Sequence, residues 1–108
     1  MMGSDQNFIF GTGAEPQIKE ETEIREPKMY RVILHNDHFT TMEFVIEILV
    51  KIFRKPAQEA TQIMLDVHRR GSGHCGIYPM DIARTKVSQV HALARQHDFP
   101  LRCSYEEA

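Results

Sequence analysis

The sequence predicts an α+β fold, β-α-α-β-α-β, with a three-stranded antiparallel sheet covered on one face by three helices. Two observations lead there. The 108 residues suit one compact domain, and 42% hydrophobic with 26% charged residues is ordinary for a globular chain. Short β-branched and aromatic runs alternate with longer stretches of helical period, and three strands need helical cover to be stable.

The elements follow in order. Residues 28–35 (KMYRVILH) read as a strand, ended by Asn36 and Asp37, whose side chains favour turns. Thr40 with Glu43 three positions later has the form of a capping box, opening a helix to about residue 54. Apolar residues lie on more than one side of that helix, which predicts that it is mostly buried. Pro56 suits the first turn of a second helix and Gly71 its C-cap, with Ala60, Ile63, Met64 and Val67 as the apolar stripe. Residues 71–73 (GSG) read as a flexible loop, and residues 74–78 as a strand stopped by Pro79. Residues 81–97 form an amphipathic helix with Ala83, Val87, Val90 and Ala94 on one face. Residues 98–100 turn the chain into a last strand, 101–105.

Charge divides the chain. Residues 1–27 hold six acids against two bases, a net −4, while the remaining 81 carry eleven bases and nine acids, a net +2. Residues 1–27 are therefore expected to be a flexible acidic arm, and 28–108 the folded domain. The whole carries −2, which excludes a nucleic-acid binder that relies on a broad basic face. Cys75 and Cys103 match no zinc spacing and read as small buried hydrophobes. No secretory signal is expected from residues 1–12, and the apolar run 44–53 is too short to span a bilayer. A reducing cytoplasm is the expected location.

An enzyme reading finds little support. The six histidines form no dyad of known spacing, and the sequence holds no phosphate loop. His35, Asp37 and His38 crowd one turn and His74 precedes Cys75, but no two form a recognised ligand pair; no metal and no cofactor is expected. A binding reading has more to work with. Met64, Val67 and His68 share adjoining parts of one helix face, and the turn His35-Asn36-Asp37-His38 precedes a helix starting near Met42. Together they suit a small apolar pocket with a polar rim. The same pattern also fits plain core positions with His68 on the surface.

The runs MYRVILHNDHFTTMEFVIEIL, EATQIMLDVHRRG, CGIYPMDIARTKV and FPLRC, in that order, resemble the ClpS family of adaptors across roughly residues 27–107. The resemblance implies a domain that binds proteins with a bulky hydrophobic N-terminal residue (Leu, Phe, Tyr or Trp). It implies delivery of them to a Clp AAA+ unfoldase with a ClpP-type peptidase. Carried over position by position, Asn36, Asp37 and His68 hold the substrate's α-amino group. Thr40, Met42, Val45, Met64, Val67 and Leu101 line the side-chain pocket, with Met42 as the gate against β-branched residues. Asp81 and Lys86 contact the N-terminal domain of a ClpA-like unfoldase, and the arm engages the unfoldase during delivery. A monomer without nucleic-acid or membrane partners is expected.

The chemistry agrees with those roles. A free α-amino group is a cation at neutral pH and needs acceptors, which an amide oxygen, a carboxylate and a neutral imidazole supply. Leaving it buried and unpaired is costly, so blocked or internal residues should be rejected. Two positions depart from the family. His38 stands where a second acid is usual, and Thr41 where proline is usual before the gate methionine. His38 should weaken amine binding, more so as imidazoles take up protons in mild acid. Two rivals follow: a modulator that docks on the unfoldase without reading N-termini, and a metal-binding regulatory domain resting on the His-rich turn.

Overall fold

A computed structural model describes residues 27–108; most of the arm, residues 1–26, lies outside them. The element order is β1 (Met29–His35), α1 (Met42–Lys51), α2 (Ala57–Arg70), β2 (Ser72–Pro79), α3 (Met80–Gln96) and β3 (Arg102–Glu107). The sheet order is β2-β1-β3, with β1 antiparallel to both neighbours.

The most apolar strand takes the centre, where both of its ladders are paired and one face is covered by the helices. Val32 and Leu34 are fully buried and Ile33 nearly so. Val32 and Leu34 share one core cluster with Cys75, Val90, Leu101 and Cys103 from later elements, and with Phe44, Ile48 and Leu49 from α1. α1 packs on α2, α2 on β2, and α3 runs across all three strands. The two cysteines are free and buried among these groups. Burial pushes both thiols up, Cys103 to about 12, so neither is a thiolate at neutral pH.

Several boundaries differ from the sequence expectation, each for a local reason. The first helix begins at Met42 with Thr41 as its cap, the Phe44 N–H donating to the Thr41 hydroxyl at 3.1 Å. Thr40 is not the cap because its hydroxyl donates to Asp37 instead. The helix stops at Lys51 rather than residue 54: Ile52 is its C-cap and Arg54 is left-handed at φ 57°, just ahead of Pro56. Nor is α1 buried all round. Phe44, Val45, Ile48 and Leu49 are buried and Ile46 packs partly against the core, while Met42 and Val50 are exposed.

The GSG segment is not a loose loop. Gly71 caps α2 at φ 91°, while Ser72 and Gly73 already pair with His35 and Leu34. A Cβ on Gly73 would meet Val67 Cγ2 at 2.7 Å and the Ile63 carbonyl oxygen at 3.1 Å, so the glycine sets how closely α2 lies on β2. The last strand starts one residue later and runs two further than the alternation suggested, because pairing with β1 continues to Tyr30–Glu107. α3 ends in a turn with Asp98 left-handed at φ 61°, and the Phe99 N–H reaches the Ala94 carbonyl at 2.9 Å.

One histidine joins α3 to β3. The Cys103 N–H donates to His91 Nε2 at 3.0 Å, which requires that nitrogen to be unprotonated. Burial, then Arg95 and Arg102, hold the His91 pKa below its ordinary 6.5.

Two outcomes are expected. Gly73→Ala should lower unfolding stability by about 1–3 kcal/mol in urea titration through overpacking, and an unchanged midpoint would mean that α2 steps away freely. Because the folded pKa of His91 is depressed, the unfolded chain binds the proton first as pH falls below 6.5. Thermal stability should therefore decline from that point through the folded pKa and level off below it. His91→Gln, which keeps an acceptor that does not titrate, should flatten that decline.

Candidate functional site

The site is built where β1 ends. The Asn36 N–H donates to the Gly71 carbonyl at 2.9 Å, and the Gly71 N–H returns to the Val67 carbonyl at 3.0 Å. The turn after β1 is thereby tied to the last turn of α2. Asp37 then organises the turn itself. Its Oδ1 accepts from the Phe39 and Thr40 N–H groups, both at 2.7 Å, and its Oδ2 from the Thr40 hydroxyl at 2.7 Å. Burial alone would push the Asp37 pKa up. The Thr40 amide and hydroxyl, the Phe39 amide and the neighbouring His38 outweigh it, so the carboxyl sits below its ordinary range. Asp37 is thus a fixed anion at neutral pH, and a carboxylate with three bonds still has acceptor capacity.

A cleft of about 250 Å³ opens between this turn and α2. Its rim is polar: Asn36, Asp37, His38, Thr40 and His68. Its apolar lining is Met42, Val45, Met64 and Val67. Val45, Met64 and Val67 are buried and form the floor, while Met42, first residue of α1, stands 43% exposed at the mouth. Met64, Val67 and His68 come together because positions three and four apart share a helix face. The volume is below the roughly 300–1,000 Å³ of ordinary small-molecule pockets and suits one side chain.

Every residue expected to hold the amine, and every expected pocket residue but one, lies in this lining. Leu101 does not; it is 3% exposed within the core. His38, which sequence reasoning treated only as a departure near the site, is part of the lining. Its position directly after Asp37 was the available signal.

The other singled-out groups are elsewhere. His35 Nε2 lies 2.7 Å from the Ser104 hydroxyl across the β1–β3 pair and does not line the cleft. His74 is exposed and Cys75 buried, as consecutive strand residues facing opposite ways must be. Among the described residues no three His, Cys, Asp or Glu side chains are placed to hold a metal ion. Asp81 is exposed in the first turn of α3, accepting from the Ile82 N–H at 2.9 Å, where a helix favours negative charge. Lys86 is turned inward. Its ammonium donates to the Ile52 carbonyl at 2.7 Å and lies 6.0 Å and 5.7 Å from the Phe53 and Tyr78 ring centroids. It tethers α3 to the C-cap of α1 as well as offering charge.

The two threonines should separate in mutants. Thr41→Ala removes a helix cap and should cost about 1 kcal/mol in denaturant unfolding. Thr40→Val should move the Asp37 carboxyl toward its ordinary value of 3.8, read by NMR titration, with a smaller effect on the helix. The reverse pattern would return the cap to Thr40.

Comparison with known proteins bears on this geometry. The family model described as "ATP-dependent Clp protease adaptor protein ClpS" matches residues 25–104. An adapter protein ClpS of Syntrophus aciditrophicus is 57% identical over 106 residues, covering 98% of this chain and 99% of the relative. One from Shewanella pealeana is 58% identical over 88 residues, covering 82% and 86%. Among solved structures, Agrobacterium tumefaciens ClpS2 bound to L-phenylalaninamide superposes with a TM-score of 0.74 at 35% identity, over 77% of this chain and 100% of that one. With the fold, the matched span and the identities in agreement, the chain belongs to the ClpS family of ATP-dependent Clp protease adaptors.

Proposed function

We propose that the cleft captures proteins by their N-terminal residue, Leu, Phe, Tyr or Trp, and that the chain hands them to a Clp AAA+ unfoldase and its ClpP-type peptidase. The observation that carries this reading is the pairing of a fixed carboxylate rim with an apolar floor in a one-side-chain cleft. The relative's ligand, L-phenylalaninamide, has the same two parts, a free amine and a bulky side chain.

In this reading Asn36, Asp37 and His68 accept hydrogen bonds from the ammonium group. The side chain descends between Met42 and Thr40 onto Val45, Met64 and Val67. Burying a Leu or Phe contributes about 1.5–3 kcal/mol, against about 8 kcal/mol for micromolar affinity. The polar contacts therefore supply much of the binding, and an acetylated terminus, which lacks the cation, is rejected. Met42 at the mouth acts as the gate against β-branched residues. Methionines suit a pocket that takes both aliphatic and aromatic guests.

Docking on the unfoldase falls to Asp81 and Lys86, at the far end of α3 from the cleft-bearing turn. Exposed Met80 and Ile82 flank Asp81 and give that surface an apolar component. We assign the acidic residues 1–27 to engagement with the unfoldase during delivery, a monomer as the working form and the cytoplasm as its place. A docking-only role was suggested by His38, yet His38 sits in the rim and the floor below it stays open.

The experiment is fluorescence anisotropy with one labelled peptide in three forms: free N-terminal Leu, the same residue acetylated, and N-terminal Ala. Binding to the first alone is expected, and the double variant Asn36→Ala, His68→Ala should remove it while leaving unfoldase docking intact. Equal binding of the acetylated form would sink the amine-plus-pocket mechanism, and no binding by a folded sample would leave docking as the function.

A further inference from the structure

Phe39 is the most exposed large hydrophobic residue among those described, at 75%. It is not on a loose segment. Its N–H is bonded to Asp37 Oδ1 at 2.7 Å and the next N–H to the same oxygen at 2.7 Å, so the ring is displayed by a fixed turn. Its neighbours His38 and Thr40 line the cleft. Phe39 itself forms one wall of a second, shallow hollow completed by Arg95, Asp98, Phe99 and Pro100.

The far wall of that hollow is also held in place. The left-handed Asp98 turns the chain, the Phe99 N–H reaches back to Ala94, and the Phe99 ring packs 4.8 Å from that of Phe44. The cleft and the hollow share no lining residue, but the hollow begins at Phe39, between two residues of the cleft lining, His38 and Thr40.

We propose that the hollow is a second subsite, which takes an apolar side chain at the second or third position of a peptide whose N-terminal residue occupies the cleft. The proposal rests on the N-terminal-residue reading of the cleft. The adjacency of Phe39 to two cleft-lining residues argues for the same peptide as the occupant, since successive residues of an extended chain advance about 3.3 Å and carry the next side chains toward the ring. Size argues against a second copy of this chain: five residues line the hollow, and a stable protein interface engages about 20–30 a side. The consequence is a preference beyond the first residue. Apolar groups near the terminus add affinity by covering Phe39, and the first residue alone does not reach it.

The test uses the full chain and four ligands: leucinamide, and tetrapeptide amides Leu-Ala-Ala-Ala, Leu-Phe-Ala-Ala and Leu-Ala-Phe-Ala, in competition with a labelled Leu peptide. One of the Phe-containing tetrapeptides should bind about five- to tenfold tighter than the all-Ala tail, the gain expected for partial burial of two rings. Phe39→Ser, at an exposed position where folding is undisturbed, should erase that gain while leucinamide affinity stays within about twofold. Amide NMR shifts at Phe39, Arg95, Asp98 and Phe99 should respond to that tetrapeptide and not to leucinamide. No gain from phenyl at either position, or an equal loss of leucinamide binding in the variant, would overturn the subsite. A dimer in sedimentation that the variant dissolves, with no peptide gain, would assign the hollow to a second copy and overturn it too. Failure of leucinamide to bind the unmutated chain would bring down the cleft reading itself, and the subsite with it.

Discussion

One hydrogen bond holds the site together: the Asn36 N–H to the Gly71 carbonyl, 2.9 Å, joining the end of β1 to the end of α2. Everything in the cleft belongs to one side or the other of that bond. Asn36 through Val45 come from the turn and α1, and Met64 through His68 from α2. Were the two allowed to drift, the rim would separate from half of its floor. The bond is possible because Gly71 adopts φ 91°, a conformation L side chains resist, which turns its carbonyl toward the strand. Gly73 supports it two residues on by admitting the close approach of Val67 and Ile63.

The cleft is accordingly a feature of an anchored turn and the two helices packed beside it. Asp37 shows how the fixed charge arises. The three donors that shape the turn also keep its carboxyl ionised, so the geometry and the electrostatics of the rim have one cause. At the other end of the helical layer Lys86 plays a matching part, holding α3 to α1 through the Ile52 carbonyl and two aromatic rings. The proposed substrate cleft and the proposed docking residues, separated in this way, suit an adaptor, which must keep hold of one protein while presenting it to another.

Much of this was legible in the residues. Periodicity placed all six elements, Pro56 and Gly71 bracketed α2 as expected, and Met64, Val67 and His68 were correctly seen as neighbours on one helix face. The errors concern choices between adjacent or equivalent residues. Thr40 and Thr41 are chemically alike, and only the capture of Thr40 by Asp37 leaves Thr41 to cap α1. Gly71-Ser72-Gly73 reads as a loop until β1 is present to pair with it. Leu101, assigned to the pocket by resemblance, is buried in the same core cluster as Met64 and Val67 but is outside the cleft lining.

The sequence by itself determined what local chemistry can determine: the element order, the concentration of acidic charge in residues 1–27, and the helix-face spacing that brings Met64, Val67 and His68 together. Those follow from spacing and composition, which act over a few residues. Tertiary structure alone decided that the turn after β1 meets the last turn of α2, that Lys86 faces inward, and that Phe39 stands exposed at the edge of a second hollow. Each of these depends on parts of the chain 34 or more residues apart, as Ile52 with Lys86, Asn36 with Gly71 and Phe39 with Phe99 illustrate. Such contacts exist only once the core has brought the elements together, so no local pattern encodes them.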